Sequence, residues 1–239
     1  MAKSAKYSET VRIPATKYIY RVVHRIMEGD CEYDHGPREV EIKEFEIGKY
    51  PVTNEMFKIF IDETGYLPKD DHNFLKHWKS GTYPEGHEYH PVVWVSQNDA
   101  KAYAEWTGCR LPRDYEWQYV AAGKEKNIYP WGNKFIKANC NCSGKELTPV
   151  NLYPQGASSF GVMDMCGNAY EWVDDVIDDG MHQFTFLRGG SYFQAPHFWH
   201  TDGGARPTFH HLKFQLLSEG HNRCGTTSFR CVREGKSDD

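Results

Sequence analysis

Side chains able to do chemistry crowd one part of the chain. His197, His200, Asp202, His210, His211 and His221 follow one another closely, and "HTD" at 200 to 202 has an H-x-D spacing. Two imidazoles and one carboxylate on one face of a site bind Fe(II) and leave positions open for oxygen and substrate. His200, Asp202 and one of His210, His211 or His221 are therefore expected as ligands of a non-haem iron centre. The same stretch supports a second reading, a ligand pocket. Tyr170, Tyr192, Phe193, Phe198 and Trp199 offer rigid apolar surface, while Ser191, Gln194, His197 and Arg206 offer directed hydrogen bonds, the mixture expected of a small-molecule or peptide site. A third reading assigns half of these rings to the core, which suits Tyr192 and Phe193 within an expected strand.

Two smaller groups stand apart from this crowd. In "DMCGNAYEW", Asp164 and Glu171 flank a Gly-Asn turn, so two carboxylates and turn carbonyls could converge on one hard cation. Calcium takes such mixed carboxylate and carbonyl oxygens, and a loop supplies them better than a helix. The plainer reading is a polar turn capped by Glu171. Cys140 and Cys142 form a C-x-C, but a single such pair without a second is a weak metal signal, and free thiols are expected. The seven cysteines, at 31, 109, 140, 142, 166, 224 and 231, are odd in number and scattered, which suits a reducing compartment better than a disulfide framework.

Composition narrows the partners. A net charge of -5 leaves no basic excess to neutralise a phosphate backbone, which argues against nucleic acid as the main partner. No segment is apolar for the length needed to cross a bilayer, and the N-terminus lacks the apolar core of a secretory signal, so a cytoplasmic protein without membrane contact is expected. Aromatic residues make up 15% of the chain and supply large buried areas, enough for a folded core despite a modest hydrophobic fraction.

The elements that must hold these residues are unevenly spread. "VEIKEFEI" (40–47) puts Val40 and Ile42 in one phase and Phe45 and Ile47 in the other, as a strand pair or a bulged strand does. Met56, Phe57, Phe60 and Ile61 share one helical face over 54–64, with Asn54 as the expected cap and Gly65 as the stop. Ser96, with Asp99 three residues on, opens a second helix, and "DYEWQYVAAG" makes a third. After Gly123 helical periodicity vanishes, and short strands are expected at 186–193 and 228–232 among long loops. Loops this long in a compact domain call for bound metal or function to hold them. No repeat or linker divides the chain, so one domain over 1–239 is expected.

Six strings in order carry a resemblance: "YPVTNEMFKIF", "HPVVWVSQNDAKAYAEWTGCRLPRDYEWQYVAAG", "YPWGN", "FGVMDMCGNAYEWVDD", "LRGGSYF" and "SFRCV". Together they resemble the formylglycine-generating enzyme family, also called sulfatase-modifying factor proteins, along essentially the whole chain. The resemblance implies a mixed α+β domain of the C-type-lectin-like kind, with little regular structure and structural calcium. It implies calcium ligands at Asp164, Gly167, Ala169 and Glu171, the middle two through backbone carbonyls, and matches a second calcium site only at Asn139. In the family two cysteines after the Gly-Gly-Ser bind Cu(I); aligned on "GGSY" they fall on Gln194 and Trp199 here, so copper is not expected. Phe229 and Cys231 match a core strand. The apolar Leu212, Phe214, Leu216 and Leu217 depart from the polar peptide-receiving loop of sulfatase-activating members, and are expected to shape a different pocket or a subunit contact. An oxygen-dependent oxidoreductase with diverged cofactor and substrate is the expected activity, and a non-catalytic, calcium-stabilised binding protein is the alternative.

Overall fold

A computed structural model describes residues 8–25, 32–34, 37–194 and 203–235. Six short strands come first: β1 (Thr10–Ile13), β2 (Thr16–Tyr20), β3 (Val23–Arg25), β4 (Glu32–Asp34), β5 (Arg38–Ile42) and β6 (Phe45–Gly48). Three helices follow, α1 (Asn54–Thr64), α2 (Gln97–Trp106) and α3 (Asp114–Ala122). The remainder holds β7 (Tyr170–Asp178), β8 (Gln183–Arg188), β9 (Gly190–Ser191), β10 (Gly204–Ala205), β11 (His210–Leu216), a one-turn α4 (Glu219–Asn222), β12 (Thr227–Phe229) and β13 (Val232–Glu234).

The strands sort into a six-stranded sheet in the order β12-β7-β8-β11-β3-β4, a three-stranded sheet β1-β6-β13, and the pairs β2-β5 and β9-β10. β13, near the end of the chain, pairs with β6 near its beginning, so both ends are tied into one sheet. The expected strand over 40–47 is two strands with different partners: β5 pairs with β2, and β6 lies between β1 and β13. The change of phase between Ile42 and Phe45 is the break between sheets.

The core divides along β7 and β8 because successive strand residues point to opposite faces. Trp172 and Leu187 face a cluster with Phe57, Phe60 and Tyr103 from α1 and α2, while Val173 and Phe186 face one with Trp117 and Val120 from α3 and Ile13 and Ile47 from the N-terminal strands. Phe229 and Cys231 are core as expected, at 0% and 2% exposure. Leu212 and Phe214 pack on the same core from β11, and Leu217, just past the strand, is exposed.

Helix ends follow local chemistry. Thr53, one residue before the expected Asn54, caps α1 by accepting from the Met56 N–H, and Gly65 ends the helix in the left-handed region at φ 64°. Ser96 and Asp99 form the capping box of α2. The expected strand at 186–193 breaks at Gly189 and ends at Ser191; Phe193 is exposed, against the expectation that it packs in the core. No helix among the described residues is long and apolar enough to cross a membrane.

Candidate functional site

Three segments meet around a cleft of about 480 Å³: the 3-10 turn at 137–139 with the loop after it, the stretch after β9, and β10 with the residue after it. Lys137, Cys142 and Ser143 come from the first, Gln194 from the second, and Gly204, Ala205 and Arg206 from the third, with Tyr129 and Phe135 as aromatic wall. β9 and β10 pair antiparallel in register Gly190 with Ala205 and Ser191 with Gly204, so the chain leaves this two-residue ribbon toward Gln194 at one end and toward Arg206 at the other. Gly190, at φ 86°, permits the close approach: a Cβ there would lie 2.0 Å from the Gly204 carbonyl oxygen.

Arg188, directly before the ribbon, is fully buried and anchors it. Its Nε and Nη2 donate to both oxygens of Asp114 at 2.5 and 2.6 Å, and its Nη1 donates to the Thr208 and His210 carbonyls. Tyr20 donates to the same Asp114 carboxylate, and His211 Nδ1 lies 3.0 Å from it. Burial alone would raise the Asp114 carboxyl, but Arg188 and His211 beside it hold it well below the usual carboxylate range. Asp114 therefore joins β2, α3, β8 and β11 through one buried charge.

The described histidines have these surroundings. His211 is buried, stacked on Phe186 with ring centroids 3.9 Å apart, and committed to Asp114. His210 supplies its carbonyl to Arg188 and sets its ring against Phe209. His221 lies beyond the other end of β11, in α4, exposed, with Nδ1 2.6 Å from Ser218 Oγ and its ring stacked on His72. Among the described residues no group of three or more His, Cys, Asp or Glu side chains is arranged to hold a metal ion, and no histidine lines the cleft. His197, Trp199, His200 and Asp202 lie outside the described residues.

The expected pocket residues divide as well. Gln194 and Arg206 line the cleft; Ser191, at 1% exposure, and Tyr170, at 5%, are buried, Tyr170 within the core beside Trp172 and Phe229.

The calcium ligands fare unevenly. Glu171 is fully buried, and its two oxygens accept from Arg230 Nε at 2.7 Å and Nη2 at 2.6 Å and from the Trp117 indole at 2.8 Å. Arg230 spends its remaining N–H groups on the carbonyls of Gly48, Lys49 and Met163, so all five of its donors are matched. A guanidinium thus holds the charge that a cation would neutralise, and the set Asp164, Gly167, Ala169 and Glu171 does not fit a calcium centre. Asp164 has one donor of its own, Asn168 Nδ2 at 2.9 Å; burial pushes its carboxyl up to about 7 against that hydrogen bond and the distant pull of Arg230. Asn139 ends the 3-10 turn at 137–139, which packs on the turn at 154–156, and neither turn carries a carboxylate to complete the second site.

One constellation went unseen in the sequence. Cys166, from the turn after Asp164, lies with Cys140 and Cys142 in a buried cluster against Tyr129, Trp131 and Ala205. All three are free thiols. Spacing carries no sign of this, because Cys166 is brought to the C-x-C by the fold.

The relatives agree with this architecture. The sulfatase-modifying factor enzyme 1-like domain model matches residues 1–235. The uncharacterized protein YfmG of Bacillus subtilis is 30% identical over 84% of this chain and 48% of its own length, so the chain spans about half of that relative. An inactive C-alpha-formylglycine-generating enzyme 2 from Bos taurus is 31% identical, covering 67% of this chain and 69% of that protein. A hercynine oxygenase of Mycolicibacterium thermoresistibile is 34% identical over 58% of this chain and 37% of its own length. PvdO from Pseudomonas aeruginosa superposes with a TM-score of 0.70 at 22% identity, covering 96% of this chain and 95% of PvdO, which shows a shared fold. The chain belongs to the sulfatase-modifying factor enzyme 1-like domain family.

Proposed function

We propose that this chain is an oxygen-dependent oxidoreductase of the formylglycine-generating type whose cofactor and substrate have diverged, acting on an anionic small molecule or peptide. The observation that carries the reading is the position of the cleft: Gln194, which aligns with one of the family's copper-binding cysteines, stands on its wall, as does Arg206. The wall chemistry suits the ligand class. Lys137 and Arg206 supply positive charge, Gln194 and Ser143 directed hydrogen bonds, and Tyr129 and Phe135 flat apolar surface, the combination that orients a ligand bearing a carboxylate and an apolar portion. Arg206 directly follows β10, whose pairing with β9 leads the chain into the cleft wall.

A relative named as a hercynine oxygenase supports oxygen chemistry, and a relative named as an inactive formylglycine-generating enzyme supports the second reading, a binding protein that kept the cleft and lost the reaction. Oxygen consumption measured with the purified chain and a panel of carboxylate-bearing thiols and thioethers decides between them. Ligand-dependent uptake that falls in Arg206→Met supports the oxidoreductase. Thermal stabilisation by a ligand with no uptake supports the binding protein.

A further inference from the structure

We infer that Cys140 and Cys166 form a binding site for one soft monovalent cation of the Cu(I) class, behind the cleft and built from residues other than those aligned with the family's copper-binding cysteines.

The two thiols come from separate segments that the backbone staples together. The Asn168 N–H donates to the Asn141 carbonyl at 2.7 Å, and the Gly167 N–H to the Gly189 carbonyl at 2.9 Å. Gly167 has φ 81°, and a Cβ there would lie 2.5 Å from the Asn141 oxygen and 3.4 Å from Cys140 Cβ, so the turn that carries Cys166 touches the C-x-C directly. Cys140, Cys142 and Cys166 pack together in one buried cluster. Cys166 in turn directs its S–H to the Arg206 carbonyl at 3.5 Å, which ties the cluster to the cleft wall.

Geometry selects the cation. Zinc asks for four ligands, and no group of three or more ligating side chains is set for a metal among the described residues. Two thiolates alone suit a soft cation that accepts linear two-coordination, and thiolate sulfur selects Cu(I) over hard ions. Cys140 and Cys166 are the pair because they stand on separate segments that the backbone ties together, whereas Cys140 and Cys142 share one loop. Entry is through a second cleft of about 500 Å³ lined by Cys140, Cys142 and Tyr153. A bis-thiolate with one monovalent cation carries a net negative charge, which Lys137 and Arg206 on the adjoining walls complement.

The test titrates the full chain, reduced and free of oxygen, with Cu(I) and in parallel with redox-inert Ag(I), each against a competing chelator. One equivalent is expected to bind, with two sulfur neighbours in X-ray absorption. Cys140→Ser and Cys166→Ser each weaken binding by about 100-fold or more, since losing a direct ligand costs more than losing an outer partner. Cys142→Ser and Cys224→Ser keep the stoichiometry. Equal binding by the wild type and Cys140→Ser overturns the site. Should the serine variants not fold, alkylation of the wild type decides: the cation must protect Cys140 and Cys166 together, and protection of neither overturns the inference. The site does not rest on the oxidation reading. Cation binding without oxygen uptake removes only that reading, and uptake without cation binding removes only this site.

Discussion

Asp164 is the residue whose environment is least comfortable. Its carboxyl is buried, keeps one hydrogen bond from Asn168, and titrates near 7, well above the 3.8 of an exposed aspartate. A group whose folded pKa is raised binds more protons in the native state than in the unfolded state between those two values, so stability falls as pH rises from about 4 to about 7. Asp164→Asn keeps the acceptor for Asn168 and removes the charge. It is expected to stabilise the chain at pH 8 by up to about 4 kcal/mol, and to flatten that slope, in denaturant titrations run with chelator. Equal stability of the two proteins at pH 8 would count against it. Asp114 behaves in the opposite sense: Arg188 and His211 hold its folded pKa down, so its contribution is present above about pH 4 and is lost on acidification. Asp114→Asn leaves the buried Arg188 without its counter-charge, at an expected cost of about 3–5 kcal/mol in the same titrations.

At the scale of elements, the β9-β10 ribbon decides whether the cleft exists. Only two residue pairs hold it, and Gly190 makes the pairing possible, because its φ of 86° and the 2.0 Å approach to the Gly204 carbonyl both exclude a side chain. Gly190→Ala is expected to lower the melting temperature and to abolish ligand-dependent stabilisation, while helical circular dichroism persists because α1, α2 and α3 stand on other contacts. Retained stabilisation would separate the ribbon from the cleft. The three helices were legible in the sequence, since their signals are local: a Ser cap, a box with Asp99, a Gly at the end, although the cap of α1 is Thr53 and not the expected Asn54. The N-terminal strands were largely illegible. A four-residue strand such as β1 carries too little pattern to stand out, and it forms because β6 offers an edge.

For the whole molecule, long-range closure is the dominant fact. β13 joins β6, Arg230 reaches back to the carbonyls of Gly48 and Lys49, and Arg110 bridges Glu116 and Glu234, so the last strand completes the first sheet. Such a molecule is expected to unfold in one step, with tryptophan fluorescence and far-ultraviolet circular dichroism giving coincident urea transitions. A separate early transition would instead divide it into two units. By itself the sequence determined the fold family, the three helices, the core role of Phe229 and Cys231, and the loss of the cysteine pair at Gln194 and Trp199, because each of these resides in residue type and local order. Only the tertiary structure decided that Glu171 belongs to Arg230, 59 residues away, that His211 belongs to Asp114, and that Cys166 joins Cys140. The reason is physical. A carboxylate, an imidazole or a thiol has several possible partners in the chain, and which one it meets depends on the packing of strands distant in sequence, which no spacing encodes.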